Sequence, residues 1–154
     1  MASSEFGMVS PVCADAIVRA ARSWIGTPYH HQASCKLVGT DCLGLVRGVF
    51  REIYGREAEM PPPYSADWAE ALAAETLLAA ASRHLVPTQD RVPKAGDVLI
   101  FRLRRGTVAK HAGLVTGRDS MVHALETIGT VEVAINGWWR RRIAGIFRFP
   151  GVEI

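Results

Sequence analysis

A chain of 154 residues, 49% of them apolar and 21% charged, is long enough to bury one core and too hydrophobic to be disordered or fibrous. Its formal net charge of +3 is too small to argue for nucleic acid, though it is compatible with an anionic target. Three cysteines form no paired framework, and no apolar run approaches the roughly 18 residues that span a bilayer, so neither a disulfide scaffold nor a membrane protein is expected.

Residues 1–8 read as a leader left from cloning or a disordered tail, residues 9–154 as a single domain, and no export signal is visible at the start. From about Pro11, Ile17, Val18, Ala21, Trp24 and Ile25 recur at helical spacing, and Gly26-Thr27-Pro28 stops that helix before a polar loop. The loop runs to Asp41, a good N-cap residue. After it Leu45, Val46, Val49, Phe50 and Ile53 make one apolar stripe that ends at Gly55. Pro61-Pro62-Pro63 is a stiff connector, and Ala66 to His84 has the composition of a third helix. From Pro93 the pattern turns to short β-type runs: Val98–Phe101, His111–Thr116, Ser120–Leu125, Thr130–Ile135 and Ile143–Phe149, separated by Gly, Asp and Asn. Helices first and an antiparallel sheet afterwards predict an α+β domain, with the Cys42 helix packed on strands that carry histidines.

Cys42 falls where the loop ends and the second helix begins. Unpartnered backbone N–H groups and the positive end of the helix dipole favour a thiolate there, and they predict a thiol pKa lowered into the range of roughly 3.5–7.5. A thiolate beside an imidazole suits acyl transfer, with sulfur attacking an amide carbonyl and histidine protonating the leaving amine. His111 is the candidate base and His123 the candidate group that orients it. Strand alternation sets a condition on that pair: the two histidines share a face only if the intervening turn is odd or a bulge intervenes. The Cys42 backbone N–H, aided by the Tyr29 hydroxyl, is the candidate oxyanion hole. His30, His31 and Cys35 lack the four donors of a closed zinc site, so no metal and no cofactor are expected. Gln32 reads as a loop hydrogen-bonding residue. Trp138-Trp139-Arg140-Arg141-Arg142 reads either as a docking patch or as a partly buried turn with solvated arginines.

Gly26-Thr27-Pro28-Tyr29, Asp41-Cys42-Leu43-Gly44-Leu45-Val46, Pro93-Lys94-Ala95-Gly96-Asp97-Val98, His111-Ala112-Gly113 and Val122-His123-Ala124, in that order, resemble the NlpC family of papain-like cell-wall cysteine peptidases. The resemblance implies a papain-like α+β fold and hydrolysis of peptidoglycan stem peptides, often between D-γ-glutamate and a diamino acid. It implies Cys42 as nucleophile, His111 as base and His123 as third member, with Tyr29 and Asp41 lining the substrate site. Leu43 departs from the pattern, standing where many members have serine. The wording of Gly26–Ser34 and Gly44–Val49 is similar to the branch found among phage tails, prophages and gene-transfer-agent particles. It implies a protein made in the cytoplasm without a signal peptide, docked on tail-tip or hub proteins and carried to the wall. Nucleic acid and membrane are not expected partners. A structural tail protein with an inactive or peptide-binding site, and an amidase or acyltransferase on the same fold, are the alternatives.

Overall fold

The computed structural model describes residues 11–60 and 75–152. In chain order the elements are α1 (Ala14–Ser23), β1 (Ser34–Cys35), β2 (Gly39–Thr40), α2 (Cys42–Tyr54), α3 (Thr76–His84), β3 (Val86–Pro87), β4 (Val98–Phe101), β5 (His111–Gly117), β6 (Ser120–Leu125), β7 (Gly129–Ala134), α4 (Gly137–Arg140) and β8 (Ile143–Arg148). The expected α+β order is what the chain adopts. Residues 1–8 and the first part of the third predicted helix, 66–74, lie outside the described residues.

Six strands form one antiparallel sheet in the order β3-β8-β4-β5-β6-β7. Alternation along β4 divides the core. Val98 and Ile100 join Ile17, Ala21, Trp24, Leu45, Val49 and Phe50 of the two long helices. Leu99 and Phe101 join Val115, Met121 and Ile135 on the other face, where Trp139 packs against them. The helix layer buries the apolar stripes of α1 and α2, and this burial is the main force fixing Cys42 against the sheet.

The start of α2 is set by Asp41, which holds extended backbone while its side chain accepts from the Gly44 N–H. Its end is set by Gly55 at φ 72°, whose N–H returns to the Arg51 carbonyl. Three features were not read from the sequence: the hairpin β1–β2, the two-residue strand β3 and the single turn α4. Two to four residues are too few to carry a hydrophobic period.

Candidate active site

The cysteine half is assembled by short-range hydrogen bonds. The Thr40 N–H donates to the Pro28 carbonyl and the His30 N–H to the Thr40 carbonyl, each at 3.0 Å, folding the loop back on itself before the helix begins. Asp41 then ties the loop to the helix. One carboxylate oxygen accepts the Gly44 N–H at 2.7 Å and the other the Gln32 N–H at 2.8 Å. The Ser34 hydroxyl donates to the Gly44 carbonyl at 2.6 Å, and Arg51 donates to the Ser34 carbonyl at 2.7 Å. Gly44 permits this lacing, since a Cβ there would lie 1.9 Å from the Ala33 carbonyl oxygen. Gln32 enters the network through its backbone N–H, at φ 66°.

Cys42 is half-buried as a residue. Its Sγ donates to the Lys110 carbonyl at 3.8 Å, and the Ala112 backbone N–H reaches the same sulfur. These are the two peptide groups that flank His111, so the sulfur is seated at the head of β5 beside the candidate base. The expectation of a lowered thiol pKa is corrected here. Burial, and then the negative charge of adjacent Asp41, push the thiol up to about 12, against the opposing pull of the Ala112, Leu43 and Cys42 N–H groups. Helix-end amides favour the thiolate as foreseen, but desolvation and a carboxylate one residue away outweigh them.

The histidine half is assembled by strand register. Leu114 pairs with Val122 and Val115 with Met121, but the register then shifts, and Gly117 pairs with Ser120. This bulge meets the sequence condition and puts His111 and His123 on one face, His111 Nε2 lying 2.9 Å from His123 Nδ1. Gly113 makes the space between them: a Cβ there would lie 2.8 Å from the Met121 sulfur and 3.6 Å from His123 Cβ. His111 is 7% exposed and His123 0%. Burial holds the first imidazole down at about 3, helped by neighbouring His123, and burial holds the second at about 4. Both rings are therefore neutral near pH 7, as is the thiol.

Nε2 of His111 is taken up by His123, and the contacts of the Cys42 sulfur are with the peptide groups on either side of His111. Tyr29 stands close enough to feel the charges of Cys42, Asp41 and Glu126, which add to burial in raising its phenol to about 12 and keep its hydroxyl a neutral donor. The structure thus gathers Cys42, Asp41 and Tyr29 at one end of α2 and His111 with His123 on the sheet. Asp41 stands in the site chiefly as the residue that caps the helix and charges its first turn. Sequence reasoning left Trp139 to a docking patch or a turn. Its indole instead lies over His111, with ring centroids 5.5 Å apart, and edge-on to His123 at 5.0 Å. Two adjacent tryptophans in a short polar turn were the available signal, but nothing local says which rings they meet.

A second feature of the same end is a groove of about 1050 Å³ lined by Arg102, Arg104, Arg105, Arg141 and Arg142, with Glu75 on its rim. Arg102 is held by the Thr107 carbonyl and Glu75, and Arg142 by the Leu103 and Trp138 carbonyls. The loop from Arg102 to Lys110 leads into His111, and Arg141 and Arg142 follow Trp139.

Comparison with known proteins agrees with this geometry. The profile of the NlpC/P60 family matches residues 26–148. The chain is 28% identical over 148 residues to the gamma-DL-glutamyl hydrolase of Bacillus subtilis (strain 168), covering 94% of this chain and 32% of that protein. It is 26% identical over 120 residues to the murein DD-endopeptidase MepS/murein LD-carboxypeptidase of Escherichia coli (strain K12), covering 77% of this chain and 54% of that one. It thus spans about a third and about half of these two relatives. Among solved structures, the NlpC/p60 domain of the peptidoglycan hydrolase SagA superposes with a TM-score of 0.65 at 21% identity, covering 90% of this chain and all of that domain. An NlpC/P60 family protein from Bacillus cereus ATCC 10987 gives 0.66 at 19% identity, covering 92% of this chain and 41% of its own. These two likenesses bear on the fold, which is the papain-like α+β arrangement. With the Cys42 motif and both histidine strands inside the matched span, the chain belongs to the NlpC/P60 family.

Proposed function

We propose that this chain is a cysteine endopeptidase that hydrolyses peptide bonds in bacterial peptidoglycan, with Cys42 as nucleophile, His111 as general base and acid, and His123 as the group that orients His111. The observation that carries the reading is the seating of the Cys42 sulfur on both peptide groups flanking His111, while the far nitrogen of that imidazole is bound to His123 at 2.9 Å. The resting pair is neutral, so proton transfer from Sγ to Nδ1 accompanies attack on the scissile carbonyl. The carbonyl oxygen becomes an oxyanion, for which the Cys42 N–H and the neutral Tyr29 hydroxyl are the proposed donors. The imidazolium then returns its proton to the departing amine, leaving a thioester. Water, deprotonated by His111, releases the acid product and restores the thiol.

The bond between D-γ-glutamate and a diamino acid is the proposed target, in keeping with the family resemblance and with the gamma-DL-glutamyl hydrolase name of the Bacillus subtilis relative, whereas the Escherichia coli relative is named for DD and LD bonds of murein. Stem peptides carry free carboxylates, and the arginine-lined groove formed by residues 102–107 and 141–143 offers guanidinium groups of the kind that bind them. The wording of the two phage-like motifs makes a phage-like tail, with docking on tail-tip or hub proteins, the proposed route to the wall. Mass spectrometry of purified particles tests that route, and particles lacking the chain would remove it.

Digestion of sacculi followed by mass spectrometry of the released fragments tests the activity. The wild type is expected to release stem-peptide fragments. Cys42→Ala and His111→Ala, both folded by circular dichroism, are expected to lose at least about 10³-fold in rate. Equal products from the wild type and Cys42→Ala would overturn the reading.

A further inference from the structure

The orienting histidine has a polar contact on one ring nitrogen only. His123 Nδ1 meets His111 at 2.9 Å, but its Nε2 is buried with no hydrogen-bond partner among the described residues. The bond to His111 couples the two rings to each other, so packing must fix the pair as a unit. One side chain packs on both rings. The centroids of His111, His123 and Trp139 form a triangle with sides of 5.2, 5.0 and 5.5 Å, the indole inclined 26° to His111 and 85° to His123. Trp139 is itself held. Its backbone N–H donates to the Asn136 side chain at 3.2 Å, and its ring packs on Phe101 at 5.0 Å and Trp138 at 4.8 Å. It is only partly buried, whereas both histidines beneath it are buried, so the indole stands between the imidazole pair and solvent.

The geometry points to Trp139 as a positioning residue: it covers the His111–His123 hydrogen bond, excludes water from it, and locks both rings so that His111 Nδ1 stays open to the thiol. This rests on the reading of Cys42 and His111 as nucleophile and base. The ionisable groups around His111 are His123 on β6, Cys42, whose sulfur meets the peptide groups on either side of it, and Lys110, which precedes it in the chain. The Arg142 guanidinium lies over Trp138 instead, 3.7 Å from its centroid.

Trp139→Leu and Trp139→Phe, with the wild type, test the proposal by steady-state kinetics and by ¹⁵N NMR titration of the histidines. Trp139→Leu is expected to lose about tenfold in kcat with little change in KM, because the substrate contacts remain while the base wanders. Its His111 is expected to titrate between about pH 5 and 8, where the wild-type ring does not, because water reaches the pair. Trp139→Phe restores a ring and is expected to recover most of both losses. In the wild type alone, the ring protons of His111 and His123 are expected to be displaced by the indole ring current, a reading that survives if the leucine variant fails to fold. Wild-type kcat or an untitrating His111 in folded Trp139→Leu, or undisplaced imidazole protons in the wild type, would overturn the proposal. The NMR readings need no turnover, so a chain with these signatures that leaves peptidoglycan intact sinks the peptidase reading and not the placement of Trp139.

Discussion

The cysteine half of the site is held by hydrogen bonds among residues close in sequence, the histidine half by register and ring packing among residues from four separate elements. Asp41 reaches Gln32 and Gly44 without leaving its own loop and helix turn. His111 depends on β5, His123 on β6 and the bulge between them, Phe101 on β4 and Trp139 on α4. The difference teaches where each half is vulnerable. The first fails by loss of a charge or a bond, the second by loss of shape.

Short of removing Cys42 or His111, the largest effect is expected from breaking the shape. His123→Ala removes the partner of His111 Nε2 and opens a void under Trp139, and kcat is expected to fall by about 10²-fold or more. The kinetics of folded His123→Ala decide this, and a rate within a few-fold of wild type would show that ring packing alone orients His111.

A pH series separates the halves without mutation. An unfolded histidine takes up its proton near pH 6.5, whereas the buried pair resists until about 4 and about 3, so between those limits the unfolded state binds more protons. Stability is therefore expected to fall as pH drops below about 6.5. The cysteine half behaves oppositely. An unfolded thiol ionises near 9.0 while folded Cys42 holds its proton to about 12, so stability is expected to fall as pH rises above about 9. Thermal melts across this range check both signs, and in Cys42→Ala the alkaline loss is expected to shrink while the acid loss persists.

A smaller effect sharpens the electrostatics of the first half. Asp41→Asn keeps one acceptor for the backbone and removes the charge, so the thiol pKa is expected to drop. Alkylation of Cys42 by iodoacetamide at about pH 8 should then be faster than in the wild type. Loss of one cap bond is expected to cost about 1 kcal/mol in a denaturant melt. Unchanged alkylation would mean that burial alone raises the thiol.

How much was legible follows the same division. Asp41, Cys42 and the apolar stripe from Leu45 to Ile53 announce a capped, buried helix because capping and amphipathicity act within a few residues. The α+β order was legible because Ile17–Trp24 and Val98–Phe101 follow different periods. The shared face of His111 and His123 could be stated only as a condition, since the shift between Val115 and Gly117 leaves no mark in the residues themselves. The thiol pKa was misjudged because a helix end can be recognised in sequence, whereas the depth at which β5 buries it cannot.

By itself the sequence determined the fold class, the place of Cys42 at a helix start and the supply of two strand histidines, all consequences of local periodicity, capping and residue chemistry. The tertiary structure decided that those histidines touch, that the thiol rests protonated and that Trp139 roofs the pair. Register, desolvation and ring contact depend on atoms brought together from distant parts of the chain, and only the packed molecule assembles them.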